Sequence, residues 1–222
     1  MEPRFTSHES SSISIGFEVT STSFEVKLHR VEVKLRALDM KLQRDNTVLV
    51  VIDVQDKLMP VIDRHKEVVR NIDRLVRGCH VLGVPALVTE QYVKGLGSTD
   101  AAIRTAFEET SGYRPIEKDC FSAHGCEAFA TQLAALERKQ VLVAGVEAHV
   151  CVYQTVLDLL TAGLEVTLVA DAVSSRTAEN KEIALRRMVS EGVKLSSTEM
   201  ALFELAAVSG TPEFKSISRL VK

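Results

Sequence analysis

The sequence predicts an α/β fold: a three-layer, doubly wound sheet of about six parallel strands with helices on both faces. Residues 47–54, TVLVVIDV, form a continuous apolar run rich in β-branched residues, which is typical of a strand buried on both faces of a parallel sheet. From Thr47 onward, segments with a strand pattern alternate with segments of helical periodicity. Short joins rich in turn residues separate them. Such regular alternation implies right-handed crossovers and hence parallel strands.

Each predicted element follows from its local pattern. Short apolar runs predict strands at residues 47–54, 86–89, 116–118, 140–146, 164–170 and 193–196. The first helix carries apolar residues at helical spacing, and a Gly-Val-Pro sequence at 83–85 ends it; these apolar residues are Val68, Ile72, Leu75 and Val76. Further helices are predicted at residues 100–109, 127–138, 150–162, 178–191 and 200–207. Ser196 and Glu199 form a capping-box pattern that opens the last of these.

Residues 1–40 differ in pattern from residues 41–222, which are expected to form one domain. The N-terminal extension combines a Ser/Thr-rich stretch with near-repeats such as GFEV and SFEVKL, in which apolar and charged residues alternate. This period of two favours a β-ribbon or a pairing arm. A disordered or non-native extension is the alternative interpretation.

Composition excludes several classes of protein. Hydrophobic residues make up 45% and charged residues 26% of the chain, and no apolar run reaches the roughly 20 residues that a membrane-spanning helix needs. A net charge of -3 with interspersed signs predicts no nucleic-acid partner. The N-terminal residues lack the pattern of a secretory signal. The cysteines show no C-x-x-C spacing and indicate a reducing compartment; they are Cys79, Cys120, Cys126 and Cys151. The cytoplasm is therefore expected, with the mitochondrion left open as an alternative.

Three reactive side chains fall at the carboxyl ends of predicted strands, where an open parallel sheet binds its ligands. Asp53 lies near the end of the first strand, Lys118 ends the third, and Cys151 lies in the first turn of the helix after the fourth. A carboxylate in an apolar buried strand is costly unless it is paired or used. A helix N-terminus and a nearby ammonium predict a depressed pKa for the Cys151 thiol. Asp53 is then suited to exchange a proton with the thiol.

Several segments resemble the isochorismatase-like cysteine hydrolases, and particularly the group known as isochorismatase domain-containing proteins. These segments are VLVVIDVQ, TEQYVKGLG, EKDCFSA, VAGVEAHVCV and VADAVSSR, and the resemblance covers residues 45–222. It implies a Rossmann-like hydrolase fold with Asp53, Lys118 and Cys151 as the catalytic triad.

The resemblance also implies details around the triad. It places a cis peptide bond between Val146 and Glu147, and it assigns the backbone N–H groups of Glu147 and Cys151 to an oxyanion hole. Residues that it implies as lining the substrate pocket are Gln55, Gln91, Tyr92 and Phe121. A homo-oligomer, either a dimer or a tetramer, is expected, and the apolar helix at 200–208 permits one.

One difference from other members of the family reduces the range of reactions that we expect. Nicotinamidases of this superfamily bind a divalent metal through an aspartate and histidines in and after the second-strand loop, where this chain reads TEQYVKGLGSTD without a histidine. We therefore expect no metal and no cofactor. Isochorismate hydrolysis is disfavoured as well, since the resemblance implies that this vinyl-ether cleavage needs no cysteine nucleophile. A small amide or ureide is the expected substrate.

Two other classes of protein compete with this hypothesis. A non-catalytic interaction or scaffold protein retaining the same fold is the runner-up. A nucleotide-binding Rossmann domain is disfavoured because the turn after the first strand reads Gln-Asp-Lys-Leu, whereas phosphate binding needs a glycine-rich turn.

Overall fold

Six parallel strands form the sheet of the computed structural model, which describes residues 41–222. The N-terminal extension and its interpretation as a β-arm lie outside the described residues. The strands are β1 (Thr47–Ile52), β2 (Ala86–Gln91), β3 (Ile116–Lys118), β4 (Gln140–Val146), β5 (Glu165–Ser174) and β6 (Lys194–Ser196). Their order across the sheet is β3-β2-β1-β4-β5-β6, and every neighbouring pair is parallel. The predicted doubly wound fold is confirmed.

Helices connect the strands and cover both faces of the sheet. They are α1 (His65–Val81), α2 (Val93–Leu96), α3 (Ala101–Glu108), α4 (Glu127–Ala135), α5 (Tyr153–Thr161), α6 (Ala178–Ser190), α7 (Thr198–Ala206) and α8 (Pro212–Leu220). Short 3-10 turns lie at Met59–Val61 and Ala123–Gly125, and one π-helical turn at Ala148–Val152 leads directly into α5. No helix among residues 41–222 is both long and apolar enough to cross a membrane.

Strand β1 shows how the sequence places the core. All six of its residues are buried, and alternate side chains point to opposite faces. Leu49 and Val51 join the cluster that includes residues of α1, α7 and α8, while Val48, Val50 and Ile52 join the cluster that includes residues of α4, α5 and α6. Both layers of helices therefore pack against this one apolar strand.

Adjacent strands β1 and β4 mark the position where the order of the strands reverses. The chain winds outward from β1 through β2 to β3, and then returns to β4 on the other side of β1. A crevice forms at the carboxyl ends of the strands at such a switch point. The three reactive side chains predicted from the sequence lie at or shortly beyond the ends of strands that finish at this edge.

Several predicted boundaries are wrong by a few residues, each for a local reason. Strand β1 stops at Ile52 because Asp53 adopts a left-handed backbone with φ of 52°. Helix α4 ends at Ala135 rather than at 138, and Glu137 shortly beyond it is also left-handed with φ of 52°. Strand β5 continues to Ser174 because a bulge in its pairing with β4 lets it pass the exposed Asp171.

The start of α7 and the chain's last helix also differ from the prediction. Ser196 belongs to β6, and the N-cap is Ser197, whose side chain accepts a hydrogen bond from the Met200 N–H. The capping-box pattern at Ser196 and Glu199 was therefore one residue out of register. Helix α8 was not predicted, although Thr211 caps it and Pro212 begins it.

Candidate active site

Asp53 lies at the end of β1 and is completely buried. Its left-handed backbone ends the strand and turns the chain at the ligand-binding edge of the sheet. One carboxylate oxygen, Oδ1, accepts a hydrogen bond of 2.7 Å from the Thr89 hydroxyl, and the other, Oδ2, accepts one of 2.7 Å from Lys118 Nζ. The buried charge predicted from the sequence is thus hydrogen-bonded at both oxygens.

Lys118, the last residue of β3, reaches across the end of β2 to meet Asp53. Its side chain is 0% exposed, and Nζ lies 2.7 Å from Asp53 Oδ2 and 2.6 Å from Gln91 Oε1. Two backbone carbonyls complete its surroundings, Phe121 at 3.0 Å and Cys120 at 3.2 Å. Because an ammonium has three N–H donors, these four oxygens satisfy it fully. Lys118 is therefore fixed in position and held beside a single compensating carboxylate.

Cys151 lies in the π-helical turn Ala148–Val152 and is buried with the core cluster behind β4. Burial, which is the largest influence, acts together with the negative charge of Asp53 and a hydrogen bond to that carboxylate, and against the lowering effect of Lys118, to raise the pKa of the Cys151 thiol to about 12. The depressed pKa expected from the sequence is therefore wrong for the resting protein. Desolvation and a carboxylate neighbour outweigh the helix N-terminus and the ammonium. Cys151 rests as a neutral thiol beside Asp53.

The raised pKa of Cys151 predicts the order in which the cysteines react with a simple alkylating reagent. At about pH 8, on the order of 10⁻⁴ of a thiol with this pKa is ionised, and the thiolate is the reactive form. Cys120 is exposed, whereas Cys79 and Cys151 are buried. We expect iodoacetamide to label Cys120 first and Cys151 far more slowly, with a Cys151 rate that keeps increasing up to the highest pH the fold tolerates. Peptide mass spectrometry measures both rates. A Cys151 rate that reaches a plateau below about pH 9 would contradict the raised pKa.

The backbone near the end of β4 requires a glycine at position 145. Its φ is +122°, and a Cβ atom there would lie 2.1 Å from the carbonyl oxygen and 2.5 Å from the nitrogen of Ile52. The last residues of β4 thus approach β1 more closely than any side chain allows. One residue further along, the peptide bond between Val146 and Glu147 is cis.

Glu147 forms the start of the turn that carries the cysteine. Its carbonyl accepts hydrogen bonds from the N–H groups of Val150 and Val152, at 3.0 and 3.2 Å. Its side chain is mostly buried, and its Oε1 forms an ion pair of 2.7 Å with Arg176 Nε. The Arg176 side chain is 58% exposed. The Glu147 carboxylate is therefore compensated by a guanidinium that remains more than half exposed.

Gln55 and Gln91 act on the site through their hydrogen bonds to other protein groups. Gln55 is completely buried; its Nε2 donates to the carbonyls of Gln91 and Gly97, and its Oε1 accepts from the Gln91 N–H. Gln91 accepts from Lys118 Nζ and donates to the Asp119 carbonyl at 2.8 Å. Both amides therefore orient the end of β2 and the lysine; Gln55 uses both of its N–H donors on backbone carbonyls, whereas Gln91 uses one of its two.

Tyr92 and Phe121 differ from the other predicted pocket residues because they are exposed, at 57% and 54% respectively. Tyr92 follows β2 directly and Phe121 lies shortly after β3, so both belong to segments that begin at the same edge of the sheet. These exposed rings are available to contact a ligand.

Three buried side chains that support the site were not predicted from the sequence. Thr89 donates to Asp53, as described above. Thr155 Oγ1 donates to the Cys151 carbonyl at 2.7 Å and accepts from the Ala123 N–H at 2.8 Å. Glu90 Oε1 accepts from the Thr99 N–H and hydroxyl at 2.6 and 2.8 Å and from the Tyr113 hydroxyl, which anchors the loop after β2. A buried glutamate inside the strand sequence ALVTEQ was the available signal for this last residue.

Residues 41–222 contain no group of three or more histidine, cysteine, aspartate or glutamate side chains arranged to hold a metal ion. His149, which the sequence places near Cys151, instead shares a 3.0 Å hydrogen bond with the Ser175 hydroxyl.

Residues 47–200 match the isochorismatase domain model, which covers more than half of the chain. A secreted isochorismatase effector, Isc1, from Phytophthora sojae is 40% identical over 180 residues, covering 80% of this chain and 85% of the relative. Isochorismatase domain-containing protein 2 from Danio rerio is 38% identical over 176 residues, covering 79% of this chain and 86% of the relative.

Solved structures show the same fold. The MAR1 ribonuclease from Caenorhabditis elegans superposes with a TM-score of 0.75 at 34% identity, covering 82% of this chain and 92% of that chain. The YcaC gene product from Escherichia coli, described as an octameric hydrolase of unknown specificity, superposes with a TM-score of 0.75 at 20% identity over 82% of this chain and 90% of that chain. At that identity the YcaC likeness shows the fold alone.

Proposed function

The chain belongs to the isochorismatase family, and from this premise we propose that it is a metal-independent cysteine hydrolase that cleaves the C–N bond of a small amide or ureide through a thioester. One observation carries the proposal. The Asp53 carboxylate is buried, is paired with Lys118 at 2.7 Å, and influences the Cys151 thiol by charge and by a hydrogen bond. A neutral thiol, a carboxylate and an ammonium in one dry site suit nucleophilic catalysis in which the proton moves as the sulfur attacks.

The acylation step uses each of these groups. The Cys151 proton passes to Asp53 as the sulfur attacks the carbonyl carbon, and the oxygen that becomes negative is stabilised by the backbone N–H groups of Glu147 and Cys151. When the C–N bond breaks, Asp53 returns the proton to the leaving nitrogen, and a thioester remains on the sulfur. Lys118 keeps its positive charge throughout and balances Asp53 while that carboxylate is ionised.

Deacylation repeats the same proton transfers with water. Asp53 accepts a proton from a water molecule that attacks the thioester carbon, and the thiol is regenerated as the C–S bond breaks. The raised pKa of Cys151 agrees with this scheme, because the thiolate is needed only while the sulfur attacks. In deacylation, a sulfur whose thiol has a high pKa leaves readily only when a nearby acid protonates it, and in this scheme Asp53 is that acid.

Trapping the thioester tests the proposal directly. Full-length protein is incubated with a panel of small amides and ureides, quenched in acid and examined by intact-protein and peptide mass spectrometry. We expect an acyl adduct on Cys151 with release of ammonia or an amine, and neither product from Cys151→Ala. Cys126→Ala is the matched control, because it removes a thiol outside the proposed triad.

The ribonuclease name of the Caenorhabditis elegans structure supplies a competing chemistry, and the same variants distinguish it. Cleavage of RNA by its own 2′-hydroxyl needs an acid and a base but no thiol nucleophile. RNA cleavage that persists in Cys151→Ala, together with no adduct from any amide, would contradict the proposed hydrolase. A protein inactive on both substrates would favour the scaffold alternative.

Metal independence gives a second prediction. The loop after β2 contains no histidine, and the described residues form no metal-ligand cluster. We expect turnover to survive dialysis against excess chelator without a measurable decrease, with metal content followed by elemental analysis. Stoichiometric zinc, iron or manganese whose removal abolishes turnover would contradict this expectation.

Assembly into a homo-oligomer is a third prediction. Exposed apolar side chains are present on and beside α7, at Met200 (60% exposed), Val208 (62%) and Leu195 (44%). Covering them in an interface would stabilise a dimer or tetramer. We expect sedimentation velocity at micromolar concentration to show a species larger than a monomer, and Met200→Lys to shift it toward the monomer. A monomeric wild-type protein would be the contrary result.

The expected compartment stays a prediction. Free thiols favour a reducing environment, whereas the relative from Phytophthora sojae is named as secreted.

A further inference from the structure

A second pair of thiols lies beside the proposed active site. Cys120 is exposed and Cys126 is partly exposed, and both line a cavity of about 390 Å³ next to Tyr92 and Asp119. The other two cysteines of the chain are buried. A dissolved oxidant therefore reaches this pair more easily than it reaches Cys151.

The segment between these cysteines, residues 120–126, is folded back on itself by the 3-10 turn Ala123–Gly125. Cys120 Sγ lies against Gly125, where a Cβ atom would stand 3.7 Å from the sulfur. Gly125 directly precedes Cys126 and has no side chain to separate the two cysteines. The two thiols hydrogen-bond to different carbonyls, Cys120 to Ser122 at 3.1 Å and Cys126 to Glu117 at 3.8 Å, so a disulfide between them removes both bonds and requires both sulfurs to turn.

Segment 120–126 is also joined to the proposed catalytic residues. The carbonyls of Cys120 and Phe121 accept hydrogen bonds from Lys118 Nζ at 3.2 and 3.0 Å. Two of the four oxygens around the ammonium thus belong to this segment. Any movement of the segment changes how firmly Lys118 is held.

A second connection runs to the cysteine turn. The Ala123 N–H donates to Thr155 Oγ1 at 2.8 Å, and that hydroxyl donates to the Cys151 carbonyl at 2.7 Å. Ser122, in the same segment, has a buried hydroxyl with no hydrogen-bond partner among the described residues. An unsatisfied buried hydroxyl is unfavourable, so a shifted conformation that gives it a partner would recover part of that free energy.

We propose that Cys120 and Cys126 form a modification site at which a peroxide oxidises the two thiols to a disulfide. We propose further that this bond shifts segment 120–126 and weakens the hydrogen bonds between its carbonyls and Lys118. In the first step, the Cys120 sulfur attacks one oxygen of hydrogen peroxide, the O–O bond breaks, and a sulfenic acid and one water form. The Cys126 sulfur then attacks the sulfenic sulfur and displaces the second water. Two thiols are oxidised by two electrons, peroxide is reduced to two waters, and a dithiol reductant reverses the change.

Mass spectrometry tests the modification without any substrate. Full-length protein is treated with hydrogen peroxide, free thiols are blocked with iodoacetamide, and the protein is digested with trypsin. Both cysteines fall in one tryptic peptide, residues 119–138. We expect this peptide to lose two hydrogen atoms and to escape alkylation, to regain both thiols with dithiothreitol, and to do neither in Cys120→Ser or Cys126→Ser. A peptide alkylated at both cysteines, or oxidised at Cys120 with Cys126 still free, would overturn the site.

The effect on Lys118 rests on the proposed function and has a separate readout. Misplacing a catalytic group by about 1 Å can cost about 100-fold in rate, so we expect oxidised wild type to lose at least about tenfold in amide turnover. Oxidised Cys126→Ser should keep its rate. A disulfide that forms without changing turnover would overturn the coupling to Lys118. Since the mass readout needs no turnover, failure of the disulfide is distinguishable from failure of the proposed hydrolase.

Discussion

Asp53→Asn is expected to lower turnover by about 10²- to 10⁴-fold while the protein remains folded. Asparagine is nearly the same size as aspartate, and its carbonyl oxygen can still accept from Thr89 or Lys118, which now bond to separate carboxylate oxygens. It cannot accept the thiol proton or return it to the leaving nitrogen. The rate loss therefore reports proton transfer, and circular dichroism of the same sample reports folding.

A second readout of Asp53→Asn should move in the opposite direction. The Asp53 charge raises the pKa of Cys151, so its removal should bring that pKa down from about 12 toward its ordinary value. Cys151 should then be alkylated faster by iodoacetamide than in wild type at the same pH. Asp56→Asn, at an exposed position three residues along the chain, is the matched control and should change neither measurement. An Asp53→Asn protein with full turnover would show that the triad has been misassigned.

Lys118→Met is expected to destabilise the fold by about 3–5 kcal/mol. The substitution removes the partner of a carboxylate that is 1% exposed and leaves that charge uncompensated in a dry site. Methionine has a similar length and no charge, so little of the effect should come from lost volume. Urea unfolding followed by circular dichroism measures the free energy of unfolding.

The double variant Asp53→Asn/Lys118→Met completes a thermodynamic cycle. With both charges removed, no unpaired ion remains, and much of the stability lost in Lys118→Met should return. Lys94→Met, at an exposed position, controls for the loss of a lysine and should change the free energy of unfolding by less than about 0.5 kcal/mol. A Lys118→Met protein as stable as the control would mean that water reaches Asp53, contrary to its burial.

Both predictions depend on a pair of residues that lie 65 positions apart in the sequence. The sequence nevertheless indicated them, because each stands at the end of a recognisable strand and parallel strands end at one edge of a sheet. Strand order was needed to explain their contact. Strand β2 lies between β1 and β3, and its residues Thr89 and Gln91 hydrogen-bond to the carboxylate and to the ammonium, respectively.

Family membership, confirmed by the domain match, was also recognisable from motifs alone. The protein partners of motif residues were not. Gln55 and Gln91 stand in motifs whose resemblance implies contact with substrate, and the structure adds hydrogen bonds between their amide groups and backbone carbonyls or Lys118. A sequence motif shows which residue type occurs at a position, but it does not show which group that residue contacts.

By itself, the sequence determined the layer architecture, the six strands and the edge of the sheet at which the reactive residues lie. These features follow from local apolar patterns and from general rules for parallel sheets, so they need no long-range coordinates. Only the tertiary structure decided the state of Cys151. Its position at a helix start predicts an acidified thiol, but burial and the Asp53 charge reverse the shift and raise the pKa to about 12. Desolvation and Coulomb interactions depend on distances in three dimensions, and the residues that set them are remote in sequence.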